Sequence, residues 1–123
     1  MQPCPVRLLA HKYDRLAEQW LKDEDDDTFD ALGEIIVSID QLAPTSVTGA
    51  AFLVACALSE MDHVVRGGDA PHIRLASERR VERLLRHAFL FLADHSDELP
   101  SCWKFVLAAG DGHLQQEYLK SAA

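Results

Sequence analysis

The 123-residue chain is 48% apolar and 26% charged with a net charge of −8, a profile that excludes a disordered or low-complexity chain and suits one domain, residues 1–123, with one core. The acidic excess excludes general binding to a phosphate backbone, which needs clustered Lys and Arg, so no direct nucleic-acid contact is expected. Met1 to Pro5 lacks a basic segment followed by an apolar one, and the most apolar stretch, Ala50 to Leu58, is far short of the roughly 20 residues of a membrane span, so the chain reads as cytoplasmic with no membrane contact.

The first predicted helix runs from about Pro5 to Lys22. Proline costs little in a first turn, where its missing N–H would be unpaired anyway. Leu9, Tyr13, Leu16 and Trp20 form one stripe, widened by Val6 and Ala17. The carboxylates Asp23 to Asp27 repel one another and end this helix. Asp26 or Asp27 then caps a second helix from Thr28 to Leu42, where negative charge meets unpaired N–H groups. Its stripe is Phe29, Leu32, Ile36, Ile39 and Ala43, with Ile35 and Leu42 beside it.

Pro44-Thr45-Ser46 breaks the chain, and Thr45 or Ser46 caps a third helix from Val47 to about Arg66. Val47, Ala50, Val54, Leu58, Met61 and Val65 share one face. The first half is apolar all round, which places this helix at the centre of the domain or under a partner. Gly49 disfavours a helix, and close packing against another helix explains it. Gly67-Gly68 stops the helix. A fourth helix follows from Pro71 or His72 to His95, with Ser77 as a later alternative start. Val81, Leu84, Leu85, Ala88, Leu92 and His95 form its stripe. Beyond the connector at 96–100, Ser101 to Ala109 reads as a short helix containing Trp103, Phe105, Val106 and Leu107, and His113 to Lys120 adds further turns.

No segment alternates with period two, and short connectors between helices make antiparallel neighbours. The predicted fold is therefore all-α, an antiparallel bundle of about four helices plus a short C-terminal helical segment. The third helix is expected to be most buried, packed by the second and fourth.

Several polar clusters bear on chemistry. Asp23, Asp25, Asp27 and Glu34 match positions 1, 3, 5 and 12 of a calcium loop, but Thr28 stands where the sharp turn needs glycine. Glu60 and His63 have the Glu-x-x-His spacing of metal-binding bundles, which use two such pairs and further carboxylates; one pair is present. The three cysteines, Cys4, Cys56 and Cys102, have no disulfide spacing, and Cys56 reads as a core residue. Nucleotide-loop, nucleophile-elbow and His-Glu-x-x-His motifs are missing, and no cofactor is expected.

The fourth helix carries Arg74, Arg79, Arg80, Arg83 and Arg86 against Glu78 and Glu82, while the segment from Asp14 to Asp30 is strongly acidic. The simplest account is solvated faces with weak ion pairs, Glu82 with Arg86 and Arg74 with Glu78. The functional account is an arginine face of Arg79, Arg83 and Arg86, suited to an acidic partner, with Phe89 and Phe91 as apolar anchors.

Ala43-Pro44-Thr45-Ser46-Val47-Thr48-Gly49-Ala50-Ala51 resembles a Pro-Thr-Thr-x-x-Gly-x-x-Ala pattern of small helical hypothetical proteins of alphaproteobacteria, with Ser46 at the second Thr. The resemblance implies no activity and assigns no functional residue. The leading functional expectation is a non-enzymatic interaction or regulatory module that acts through a helical surface, by self-association as a homodimer or on a protein partner. The alternatives are a metal-dependent bundle enzyme using Glu60 and His63, and an acidic decoy in which Asp23 to Asp27 occupies a nucleic-acid-binding protein.

Overall fold

Several helix ends carry a local chemical signal, among them Pro5 and Pro71 in first turns, Ser46 before the third helix and Gly67-Gly68 after it. The structure, a computed structural model, describes residues 3–99. The expected C-terminal helical turns at 101–109 and 113–120, and Cys102, lie outside the described residues.

Helix α1 spans Pro5–Asp23, with Pro5 at its first turn and Cys4 as N-cap, the Cys4 sulfur accepting from the Arg7 N–H at 3.4 Å. It ends at Glu24, whose backbone is left-handed (φ 48°) and whose N–H donates to the Trp20 carbonyl. Helix α2 spans Asp26–Ser38 with Asp25 at the N-cap position, one or two residues earlier than the sequence suggested, and the Asp25 carboxylate accepts from the Thr28 hydroxyl at 3.2 Å rather than from a backbone N–H. Asp26 and Asp27 are instead its first turn, where carboxylates favour the positive end of the helix dipole. It also stops short of Leu42, tightening into a 3-10 turn at Ile39–Gln41. Such a turn is a common way to satisfy the last carbonyls of a helix.

Helix α3 spans Val47–Arg66. The Ser46 hydroxyl accepts from the Gly49 N–H at 3.0 Å, and Gly67 and Gly68, both at positive φ, end the helix. Helix α4 spans Pro71–Asp94, so the later start at Ser77 does not occur. No strand occurs among the described residues, and the fold is an all-α helical bundle.

The core is built from Val6 of α1, Ile39 of the 3-10 turn, Ala50 and Leu53 of α3 and Leu84 of α4, all fully buried. Helix α3 packs mainly on α4 and also on α1, while α2 packs mainly on α1. The expectation that α2 flanks α3 is thus corrected. The two-residue connector after α1 returns the chain along α1, so α2 pairs there, and α1 takes the place beside α3.

Helix stripes are rotated from those read in the sequence. On α3 the buried residues are Gly49, Ala50, Leu53, Cys56 and Ala57, while Val47, Leu58 and Val65 are exposed. On α2 the buried residues are Thr28, Leu32 and Ile35, continued by Ile39, and Phe29 is exposed. Gly49 does mark close packing. A Cβ there would lie 2.8 Å from the Cys4 sulfur and 3.3 Å from the Val6 Cβ. By length and composition α3 is long and apolar enough to cross a membrane, and its small-residue face forms the centre of this bundle.

Candidate functional site

Three arrangements hold the residues with chemistry. The first is an ionic node between α2, α3 and α4. Arg80 donates from Nε to Asp40 Oδ1 at 2.8 Å, from Nη1 to Glu60 Oε2 at 3.3 Å and from Nη2 to the Ile36 carbonyl at 2.6 Å. Arg83 Nη2 donates to the second Asp40 oxygen at 2.9 Å. The Arg80, Asp40 and Glu60 side chains keep only 16%, 19% and 24% of their exposure. Planar guanidinium is suited to this role, because its fork reaches several oxygens at once. The Ile36 carbonyl is among the last of α2, so Arg80 also serves that helix end. Cys56 lies beside the node, and burial pushes its thiol up to about 11, the nearby Arg80 charge opposing.

The second arrangement surrounds Cys4. Its sulfur accepts from the Thr45 N–H at 3.2 Å as well as from Arg7, which ties the start of α1 to the turn before α3. Burial alone would raise this thiol. Hydrogen bonds from the Ser46 side chain, the Thr45 and Arg7 N–H groups and the Thr45 side chain outweigh that and hold it at about 6. At 5% exposure the sulfur acts as an internal cap.

The third is an open apolar groove of about 580 Å³ between α3 and α4. Its floor is Val54, Met61, Val81, Leu85, Phe89 and Leu92, and Glu78, Glu82 and Arg86 stand at its rim. Met61, Leu85 and Leu92 are each about two-fifths exposed. Leu58 and Val65 continue the same stripe of α3 and are more exposed still.

The expected arginine face is divided by the tertiary structure. Arg79 is exposed on α4. Arg83 turns to Asp40, and Arg86 pairs with Glu82 at the groove rim. Phe89 lies in the groove, whereas Phe91 packs against the core and stacks on His95 with centroids 4.1 Å apart. The two anchors therefore serve different surroundings. Glu60 and His63 also part company. Glu60 faces Arg80, and His63 Nε2 lies 2.7 Å from Asp69 Oδ2 near the end of α3. Among the described residues no group of three or more His, Cys, Asp or Glu side chains is placed to hold a metal ion. The calcium count is not realised either, because Asp27 and Glu34 belong to the continuous helix α2 and no single loop wraps them.

Sequence reasoning missed two things. Asp40 carried no signal of its own, since its partners lie 40 and 43 positions away. Val54, Met61, Leu85 and Leu92 were visible as helix stripes, but a stripe that lines a groove has the same period as one that fills a core. No protein-family model, no curated protein and no solved structure matches this chain.

Proposed function

We propose that this chain is a cytoplasmic interaction or regulatory module without catalytic activity, and that its α3–α4 groove receives an amphipathic helix of a protein partner. The observation that carries the reading is the groove itself, where apolar side chains of two adjacent helices line one side of an open cleft. Helix-in-groove recognition needs such a floor with polar groups at the margin, and Glu78, Glu82 and Arg86, with Glu82 paired to Arg86 and Glu78 to Arg74, supply that margin. The net charge of −8 favours a partner helix flanked by Lys and Arg, whose approach it accelerates. The metal-enzyme and decoy readings draw no comparable support, because Glu60 and His63 engage different partners and Asp25 to Asp27 open a helix.

The test uses a fluorescent amphipathic peptide with a leucine seam and lysine flanks. Anisotropy should report binding that Met61→Glu and Leu85→Glu each weaken strongly. Val37→Glu, which adds the same charge to an exposed site on α2, should leave binding unchanged. Equal effects of all three variants would reduce the interaction to bulk electrostatics and overturn the reading. A dimer seen by sedimentation, and dissolved by Leu85→Glu, would instead make the occupant a second copy of the chain.

A further inference from the structure

We infer that a second, smaller cleft beside the ionic node binds a free α-amino acid with an apolar side chain, its carboxylate on Arg80 and its ammonium on Glu60. The inference stands apart from the α3–α4 groove and from the partner helix proposed there.

The cleft follows from the packing. Because α2 lies mainly on α1 and α3 mainly on α4, α2 and α3 hardly touch. A cleft of about 210 Å³ lies where they part, with Ile36 of α2 on one side and Phe52, Cys56 and Ser59 of α3 on the other. Tyr13 of α1 and Arg80 of α4 complete it, so all four helices contribute. At about 30 Å³ per water molecule this space suits a ligand of on the order of ten non-hydrogen atoms.

Arg80 supplies donors that the node does not use up. Of its five N–H groups, Nε spends one on Asp40, Nη1 one on Glu60 and Nη2 one on the Ile36 carbonyl. Among the described residues nothing takes the second N–H of either terminal nitrogen. Two such donors on one guanidinium are what a carboxylate fits. Asp40 already holds the guanidinium at 2.8 Å, so the donors are in place before a ligand arrives. Glu60 supplies the opposite charge. Its Oε2 accepts from Arg80 at 3.3 Å, and its Oε1 has no partner among the described residues.

The charge balance selects the ligand. Arg80 and Arg83 offset Asp40 and Glu60, so the node is neutral as a whole. The Cys56 thiol, pushed up to about 11 by burial, adds no charge at neutral pH. A simple carboxylate would meet Glu60 unpaired, and a simple amine would meet Arg80 unpaired. A zwitterion satisfies both, and an α-amino acid carries its two charges on one carbon, as close together as the donor and acceptor here. The remaining wall is apolar. The Tyr13 and Phe52 rings lie 5.7 Å apart between centroids, and Ile36 and Ala55 stand beside them, which suits a side chain such as that of leucine, methionine or phenylalanine.

The experiment is isothermal titration calorimetry of the full chain with L-leucine, L-methionine and L-phenylalanine. Leucine should bind one equivalent with a Kd below about 1 mM. Two leucine analogues dissect the head group. 4-Methylpentanoate lacks the ammonium and 3-methylbutylamine lacks the carboxylate, and each should bind about tenfold to a hundredfold more weakly. Glu60→Gln keeps the shape and should weaken leucine about tenfold while leaving 4-methylpentanoate as it was or tighter. Ala55→Trp fills the cleft from an exposed position away from the node. It should abolish leucine binding and leave the helicity by circular dichroism unchanged. Met61→Glu, in the α3–α4 groove, should leave leucine binding unchanged. The inference is overturned by no saturable binding of the three amino acids up to about 10 mM, or by leucine and 4-methylpentanoate binding equally. Leucine binding that survives Ala55→Trp but is lost in Met61→Glu would also overturn it, by moving the ligand to the groove.

Discussion

Replacing Arg80 with methionine tests whether the ionic node ties α2, α3 and α4 together. Methionine keeps much of the apolar stem and removes the charge. Three acceptors lose their donor: Asp40, Glu60 and the Ile36 carbonyl. Asp40 keeps Arg83, whose side chain is 41% exposed, so the loss is partial there. Removing one partner of a fully buried pair costs about 3–5 kcal/mol. The node retains some water, and one carboxylate stays paired, so Arg80→Met should cost about 3 kcal/mol. Urea denaturation followed by circular dichroism gives the value, with Arg79→Met as the exposed control expected within about 0.5 kcal/mol of the parent. Adding Asp40→Asn should show coupling of about 1–3 kcal/mol with Arg80→Met. A cost below about 1 kcal/mol for Arg80→Met, or additivity with Asp40→Asn, would refute the node as a tertiary tie.

Other expectations concern the cap at Cys4 and one surface pair. The Cys4 thiol ionises near 6 in the folded chain against an ordinary 9.0, so the folded state binds fewer protons between those values. Stability should therefore rise as pH goes from about 6 to 9, and the gain should vanish as pH falls through 6, with about 4 kcal/mol as the ceiling. Denaturation across that range should show the slope in the parent and lose it in Cys4→Ser; an unchanged slope would exclude the thiolate. Gly49→Ala should be destabilising by about 1–2 kcal/mol despite the better helix propensity of alanine, because overpacking outweighs it. Adding Cys4→Ala should recover part of that loss, since the sulfur is the nearest atom to the new methyl. His63→Ala should change thermal stability within about 0.5 kcal/mol, because the His63–Asp69 pair is largely solvated.

Much of the architecture was legible along the chain because it rests on local chemistry. Pro5 at a first turn, Ser46 before α3 and Gly67-Gly68 after it mark boundaries through backbone geometry and capping that act within a few residues. The bounds Val47–Arg66 agree with the sequence reading for that reason. The end of α2 was harder to read. Ile39 to Leu42 continue a helical pattern, and the tightening into a 3-10 turn accompanies the tertiary docking of Asp40 on α4. Arg79, Arg83 and Arg86 share spacing but not surroundings, because a spacing sets angles about one axis and says nothing of what lies across from each angle.

What the amino-acid sequence determined by itself was the all-α class, four helices, the Ser46 cap and Gly67-Gly68 stop of α3, and the need for a small residue at Gly49. These follow from propensity, hydrophobic period and local hydrogen bonding, which are short-range. Tertiary structure alone decided that α1 rather than α2 flanks α3, that Arg80 binds Asp40 and Glu60, and that Met61, Leu85 and Leu92 line a groove. The physical reason is that a helix apolar on several faces can bury only those its neighbours reach, and the neighbours are chosen by the packing of the whole bundle.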